Sequence, residues 1–523
     1  MSILHRRAAR RFFSFCVGVV ALATGGAAVA AATATIDAGV LAGTATDGIA
    51  IFRGVPYAAP PVGARRWREP APPASWTGVR AAVDPAPSCP QKRMPSLEGG
   101  GDPGVLDEDC LYLNVFAPAG AASSDRLPVM VWMHGGALVI GGGGLSIYDG
   151  SALARRGAVV VTLNYRLGPL GYFSHPALER ARPGGPVNFG LLDQVEALRW
   201  VRRNIAAFGG DPGNVTIFGQ SAGAQSVLAL MAAPTARGLF HQAIAQSPYG
   251  IPSHARAAAT KTGTGIATAV GLPGARARLD ALRAVPAEPF MELSDRALSL
   301  APSLVVGDAA MPVPLLQAFR EGRQARVPLI IGSNSGEASV ARDFGLDPAA
   351  LVARLGAARV LVRPLYPATL DEAALGESVV RDVAFTAFSR RIAYLHAATA
   401  PTWRYYYDHV PQPRQPGRGG VAHGGEVPFA FGTTASCGCL GGQPGSVDAV
   451  VERRLGDRWV AFARGGEPTG ATPWPRDARL RPVVLEIGDV DASRPRFMQR
   501  RLDTFIGVLG LVETRGRELG PGP

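Results

Sequence analysis

A strand, a sharp turn and a helix in direct succession around Ser221 constrain the fold of this chain more than any other feature. The apolar run at residues 215–218 leads into Gly219-Gln220-Ser221-Ala222-Gly223, and a helical pattern follows from residue 224 to 232. Glycines two residues before and two after the serine leave room for a bend that bulkier residues would block. The sequence therefore predicts a buried strand that ends at a tight turn, with Ser221 exposed at its tip.

Similar apolar runs recur along the chain and alternate with helical patterns. Continuous apolar runs are typical of parallel strands buried on both faces, and strand–helix–strand order implies right-handed crossovers. We therefore predict an α/β fold with a central, mostly parallel sheet flanked by helices, in which residues 251–320 and 348–399 are helical insertions that shape a pocket. The further runs lie at residues 128–133, 158–163, 327–331 and 402–409, and the clearest helical stretch lies at 191–208.

The first 30 residues have the order of a cleavable signal peptide, with an arginine-rich start, an apolar stretch at 12–22 and small residues around 28–30. Arg10-Arg11-Phe12-Phe13 resembles the twin-arginine export pattern. The apolar stretch is shorter than the roughly 18 residues of a spanning helix, so no stable membrane insertion is expected after cleavage. We predict a secreted or periplasmic protein whose residues 31–523 form a single domain, with its oligomeric state left open.

The net charge of +12 comes almost wholly from arginine, since Lys92 and Lys261 are the only lysines among 53 basic residues. These arginines are spread along the chain and form no basic run outside the leader. Nucleic acid is therefore not an expected partner.

Ser221 needs a base to remove its proton and an acid to orient that base. His423 lies in a loop after the aromatic run at 402–409, and Glu337 follows the end of the 327–331 run. This places serine, acid and histidine in the chain order typical of one class of hydrolases. The N–H of Ala222, at a helix N-terminus, points where an oxyanion would form. No metal or cofactor is needed for such chemistry.

Further oxyanion donors are expected in His134-Gly135-Gly136-Ala137, which follows the 128–133 run. Backbone N–H groups can turn toward a substrate oxygen only where side chains do not block them. Each such donor is worth about 3 kcal/mol of barrier.

Several longer motifs make the chain resemble the type-B carboxylesterase/lipase family, which includes the cholinesterases, over nearly all of residues 31–523. Beside the Ser221 motif, the residues that carry this resemblance are Phe52-Arg53-Gly54-Val55-Pro56-Tyr57-Ala58, Pro60-Pro61-Val62-Gly63, Glu108-Asp109-Cys110-Leu111-Tyr112-Leu113-Asn114-Val115, Asn164-Tyr165-Arg166-Leu167-Gly168 and Asn204-Ile205-Ala206-Ala207-Phe208-Gly209-Gly210-Asp211-Pro212.

The resemblance implies an α/β-hydrolase fold and a role for each site residue. Ser221 is then the nucleophile, His423 the general base and acid, and Glu337 the orienting carboxylate. The remaining assignments are Gly136, Ala137 and Ala222 as oxyanion donors, Cys89 and Cys110 as the first disulfide, Ser247 as a supporting serine near the acid, and Arg66 with Glu108 as a structural ion pair.

Three departures from the family pattern bear on activity. Ala137 stands where a third glycine is usual, and alanine resists positive φ. Gln220 replaces the usual glutamate before the serine and so removes a negative charge. The segment between Cys89 and Cys110 contains no tryptophan to receive a quaternary ammonium, so choline esters are poor candidate substrates.

We therefore predict a serine carboxylic ester hydrolase that acts through an acyl-enzyme on neutral, fairly apolar small-molecule esters. One alternative is a catalytically weak or inactive family member that acts as a binding module. Another is a metal-dependent hydrolase built on His423, Glu426, Cys437 and Cys439, whose spacing fits no standard closed site. Cys437 and Cys439 could equally form a tight disulfide or remain two free thiols.

Overall fold

Thirteen strands form one large sheet in the part of the chain that the structure describes. The computed structural model describes residues 30–93, 101–250, 254–293, 304–414 except 344, 346, 355, 357 and 358, and 419–518. Its strands are β1 (Ala30–Ile36), β2 (Gly39–Thr46), β3 (Ile49–Pro56), β4 (Val79–Ala81), β5 (Tyr112–Pro118), β6 (Leu127–Met133), β7 (Val159–Leu163), β8 (Gly210–Gln220), β9 (Gln242–Gln246), β10 (His254–Ala255), β11 (Val305–Val306), β12 (Leu329–Asn334), β13 (Thr402–Tyr407), β14 (Val483–Ile487) and β15 (Ala492–Pro495).

The sheet is parallel in its centre and antiparallel toward its edges. Its strand order is β1-β2-β3-β5-β7-β6-β8-β9-β12-β13-β14-β15, with β4 paired to β2 and with β10 and β11 forming a separate small sheet. From β7 to β14 every neighbouring pair is parallel. The carboxyl ends of β6, β8, β12 and β13 consequently lie along one edge of the sheet, which is where open α/β sheets form their sites.

Helices cover both faces of the sheet and fill the insertions between strands. They are α1 (Ser151–Arg155), α2 (Gly168–Gly171), α3 (Pro176–Ala181), α4 (Phe189–Asn204), α5 (Ala222–Ala232), α6 (Arg256–Ala269), α7 (Leu279–Ala284), α8 (Glu288–Glu292), α9 (Leu315–Arg320), α10 (Ser339–Asp343), α11 (Pro348–Ala353), α12 (Arg359–Val362), α13 (Glu372–Val380), α14 (Ala387–His396), α15 (Val427–Phe431), α16 (Ser446–Gly465) and α17 (Gln499–Glu518).

Alternate side chains of the buried strands pack into two separate hydrophobic cores, one on each face of the sheet. In β6, Val129 and Val131 join the core on one face of the sheet, while Met130 and Trp132 join the core on the other. Helices α4 and α5 close the first core, and α16 closes the second. A strand covered on both faces must be apolar at every position, which is why the sequence shows continuous runs here.

The predicted fold class is confirmed, because the apolar runs form the parallel strands β6, β7, β8, β12 and β13 and helices fill the two predicted insertions. Within the described residues no helix is long and apolar enough to cross a membrane. The predicted signal peptide, residues 1–30, lies outside the described residues except for Ala30, which begins β1. The single-domain boundary of 31–523 stays a prediction.

Candidate active site

Ser221 occupies a strained turn between β8 and α5. Its backbone angles are φ 57° and ψ −122°, a conformation that costs a non-glycine residue about 1–3 kcal/mol. Its N–H donates to the Gln246 carbonyl at 2.9 Å, and its own carbonyl accepts from the Gln225 N–H at 2.9 Å. A methyl group at Gly223 would lie 1.9 Å from the Met133 carbonyl oxygen, so the turn admits no side chain there.

An imidazole–carboxylate pair stands at the carboxyl ends of the neighbouring strands. His423 Nδ1 donates a hydrogen bond to Glu337 Oε2, and both side chains are buried. The other oxygen of Glu337 accepts from the Asn334 N–H at 2.7 Å, and the His423 N–H donates to Ser339 Oγ at 2.8 Å. With Nδ1 acting as the donor, the neutral ring keeps its lone pair on Nε2.

The Nε2 side of the imidazole faces the turn that holds the serine. His423 Nε2 lies 3.2 Å from the side-chain Nε2 of Gln220, the residue directly before Ser221. Phe385 packs against the same ring, with a centroid distance of 5.0 Å. The structure therefore brings Ser221, Glu337 and His423 to one end of the sheet from three separate strands.

The glycine-rich loop after β6 lies directly against Ser221. A methyl group at Gly135 would come within 3.3 Å of Ser221 Cβ. Gly136 and Ala137 have φ of 103° and 53°, so alanine adopts the left-handed conformation that its Cβ disfavours. Among the described residues, the N–H groups of Gly136 and Ala137 donate to no acceptor. The N–H of Ala222 begins α5 and therefore has no partner within that helix.

His134 supports this loop from below rather than taking part in proton transfer. Its ring stacks on Tyr165 at 4.2 Å, and its Nδ1 donates to the Gly135 carbonyl at 2.8 Å. Burial lowers the pKa of His134 to about 4. The ring is therefore neutral at physiological pH and acts as a spacer beneath the loop.

The Cys89–Cys110 disulfide is present and buttresses the same loop from outside. The two Cα atoms are 5.0 Å apart. Two residues after Cys89, the Gln91 amide clamps Gly141 by donating to its carbonyl at 2.7 Å and accepting from its N–H at 2.8 Å. The expected ion pair is formed as well, with Arg66 Nε donating to Glu108 Oε2 at 2.8 Å.

Cys437 and Cys439 form a second disulfide, which answers the question that the sequence left open. The metal-dependent alternative thereby loses two of its four proposed ligands. Glu426, a third, is already engaged, because its oxygens accept hydrogen bonds from Gln246 Nε2 at 3.1 Å and Asn334 Nδ2 at 2.5 Å.

Glu426 is a buried carboxyl group that sequence reasoning considered only as a metal ligand. Burial, with a smaller contribution from the nearby Glu337, raises its pKa above the usual value. Its place three residues after His423 is the sequence signal that could have suggested a structural role.

Ser247 is buried directly after β9 with φ 54°, and its N–H donates to the Gly332 carbonyl at 2.9 Å. Its hydroxyl oxygen has no hydrogen-bond partner among the described residues. The supporting role expected for Ser247 therefore stays a prediction.

Comparisons with known proteins find relatives named as esterases over most of the chain. A sequence profile described as the carboxylesterase family matches residues 29–358 and 371–502. A fumonisin B1 esterase of Sphingopyxis macrogoltabida is 36% identical over 448 residues, which cover 82% of this chain and 81% of that protein. A para-nitrobenzyl esterase of Bacillus subtilis (strain 168) is 37% identical over 467 residues, which cover 84% and 91%.

Solved structures show the same similarity. A PNB esterase superposes with a TM-score of 0.78 at 32% identity, covering 90% of this chain and 99% of that one. A carboxylesterase of Geobacillus stearothermophilus at pH 6.2 gives a TM-score of 0.79 at 29% identity, with the same coverage.

Proposed function

This chain belongs to the carboxylesterase family and hydrolyses carboxylic esters, and we propose that Ser221, His423 and Glu337 perform this reaction through an acyl-enzyme. The observation that carries the proposal is the orientation of the His423 ring. Nδ1 is committed to Glu337, and Nε2 is directed toward the turn on which Ser221 stands. An imidazole held in this way is a base for the serine hydroxyl.

The first half of the reaction follows from this geometry. Ser221 Oγ attacks the ester carbonyl carbon while its proton passes to His423 Nε2. Glu337 stabilises the imidazolium that forms and keeps the ring in place. The negative charge that develops on the carbonyl oxygen is held by the N–H groups of Gly136, Ala137 and Ala222, each worth about 3 kcal/mol. Collapse of this intermediate expels the alcohol, to which His423 returns the proton.

The second half repeats these roles with water as the nucleophile. His423 takes a proton from water, the hydroxide attacks the acyl carbon, and Ser221 leaves with the proton as the acid is released. Apart from the ester and water, neither half requires a group from outside the chain.

We propose neutral, fairly apolar esters as substrates because the site is bordered by aromatic side chains. Phe385 lies 5.0 Å from the His423 ring, and Tyr249 packs edge-on against Phe385 at 6.4 Å. The Tyr249 segment is anchored to the serine helix, because Gln225 donates a hydrogen bond to the Tyr249 carbonyl. Apolar walls of this kind bind hydrocarbon groups and stabilise no charge. A panel of p-nitrophenyl esters that differ in acyl length tests the preference, and a charged acyl group should be the poorest.

The catalytic assignment is tested by removing the serine hydroxyl. Ser221→Ala should abolish hydrolysis of p-nitrophenyl butyrate, whereas Ser123→Ala, in an exposed turn before β6, should leave it unchanged. A fluorophosphonate probe should label the wild-type protein at Ser221 and leave Ser221→Ala unlabelled. Full hydrolysis by Ser221→Ala would refute the assignment. The binding-module alternative predicts little or no turnover in the wild type, whereas the two relatives described above are named as esterases.

We also propose that the protein is exported to the periplasm or secreted. The arginine-rich leader supports this, and so do the two disulfides of the described residues, because such bonds persist in oxidising compartments. N-terminal sequencing of the exported protein should begin near residue 31. Replacing Arg10 and Arg11 by lysine should retain it in the cytoplasm if export uses the twin-arginine route. Recovery of uncleaved protein from the cytoplasm alone would contradict export.

A further inference from the structure

The contact between Gln220 and His423 has a defined direction. The amide nitrogen of glutamine has two protons to donate and cannot accept a hydrogen bond. His423 Nε2, 3.2 Å away, must therefore be the acceptor, which agrees with Nδ1 being the donor to Glu337. The amide thus binds the neutral form of the imidazole through the same lone pair that removes the serine proton.

The amide is held in this position by backbone on both sides. Gln220 is the last residue of β8 and pairs with Gln246 of β9. A methyl group at Gly135 would come within 2.9 Å of the side-chain oxygen of Gln220, and one at Gly424 would come within 3.4 Å of its nitrogen. The glutamine amide therefore lies between Gly135 and Gly424, and the backbone at these two glycines confines it next to the imidazole.

Charges approach the imidazole from the other elements packed around it. Glu337 follows β12, and the buried Glu426 lies three residues after His423. On the π-helical turn that carries Phe385, Arg381 is paired with Asp382. His134, beneath the glycine loop, is neutral. A carboxylate at position 220 would add a further negative charge at the shortest distance from Nε2.

We propose that Gln220 is a positioning residue that extends the activity of this esterase to lower pH, because its amide stabilises the unprotonated His423 and places no negative charge beside the imidazolium. A hydrogen bond donated to the neutral form disfavours protonation, whereas a nearby carboxylate favours it by one to three pKa units. Glutamate at this position can only accept, so it would pair with the protonated ring. This inference rests on the proposed role of His423 as the base.

The test is the pH dependence of kcat/KM for wild type, Gln220→Glu and Gln220→Met. In Gln220→Glu the acidic limb of the kcat/KM profile should shift to higher pH by about one to two units, since the added charge lies next to the ring. Gln220→Met, which removes the donor without adding a charge, should move it up by less. Asn214→Asp is the matched control, because it adds the same charge on the same strand about 20 Å away and should leave the limb in place.

The pH dependence of fluorophosphonate labelling gives the same limb without turnover and serves if a variant is slow. An acidic limb of Gln220→Glu that stays in place or moves down would overturn the inference. A loss of kcat with no shift would assign the glutamine a merely structural role and would overturn it as well. If Gln220→Glu does not fold, Gln220→Met is the test, and an acidic limb of that variant that stays in place or moves to lower pH overturns the inference. Hydrolysis that survives in Ser221→Ala or His423→Ala would instead refute the proposed function itself.

Discussion

Replacing Cys89 and Cys110 together by alanine should lower the free energy of unfolding by about 3.3 kcal/mol. The two residues are 21 positions apart, and the loop-closure model assigns a cross-link of this span about 11 cal/mol/K of lost chain entropy. Cys437 and Cys439 are only 2 positions apart, and the same model assigns their bond about 1.2 kcal/mol. The two double variants therefore differ by a factor of about three on purely entropic grounds.

Urea unfolding followed by tryptophan fluorescence measures both losses. To separate the cross-link from the packing of the buried sulfur atoms, the Cys437→Ala, Cys439→Ala protein can be reduced with dithiothreitol, which then breaks only the Cys89–Cys110 bond. The Cys89→Ala, Cys110→Ala variant should also lose ester hydrolysis at urea concentrations too low to unfold it. The reason is that the Gln91 clamp on the glycine loop lies next to the missing bond. Equal losses for the two double variants would refute the entropic reasoning.

The remaining predictions concern the carboxyl groups and the glycine loop. Glu337→Gln should lower kcat by about 10⁴-fold with little change in KM, since the amide no longer stabilises the imidazolium; steady-state kinetics with p-nitrophenyl butyrate measure this. The melting temperature of Glu426→Gln should rise relative to that of the wild type as pH rises. The pKa of Glu426 is raised in the folded state, so the wild type loses stability as pH rises through that pKa and the neutral amide does not. Gly135→Ala should lower kcat by about 100-fold, because the added methyl group meets the Gln220 carbonyl oxygen at 2.9 Å and displaces the oxyanion loop.

Each of these has a direct control. Glu426→Gln serves as the matched amide for Glu337→Gln and should keep most of its activity, so equal losses would contradict the distinct roles of the two carboxyl groups. A melting-temperature difference that does not change between pH 4 and 8 would contradict the raised pKa of Glu426. Gly465→Ala adds a methyl group at the end of α16, where no described atom outside the adjoining helix backbone lies within 4 Å, and should leave kcat unchanged.

The parallel centre of the sheet could be predicted because strands that are buried on both faces appear in the sequence as nearly continuous apolar runs. Strands β6 and β7 and residues 215–218 of β8 are apolar runs, and the turn at Ser221 requires its flanking glycines. The order of Ser221, Glu337 and His423 along the sequence then indicated which polar residues meet.

Strand β9 escaped prediction because it begins and ends with glutamine. Gln246 is fully buried in the sheet, where its side chain donates to Glu426 and accepts from the Trp459 indole. A polar residue whose partners are distant in sequence looks like a loop residue until those partners are known.

The contacts that set the chemistry of His423 were equally hidden. Gln220 and His423 are 203 positions apart, and no local pattern pairs them. Phe385 reaches the ring from a π-helical turn at Arg381–Thr386, where the usual helical periodicity does not apply. Sequence reasoning therefore singled out Gln220 as a departure from the family pattern, but it did not reveal that Gln220 and Phe385 contact the His423 ring.

The assembly of the site from distant strands makes enzymatic turnover the last signal to return when the unfolded chain refolds. The imidazole and its carboxylate are 86 positions apart, and the glutamine beside the nucleophile is 203 positions from the imidazole. Contacts between such remote segments form slowly, because the intervening chain must first be ordered. The helical circular dichroism signal should therefore recover well before ester hydrolysis does. The lag between these two signals would measure how long the distant strands take to pair.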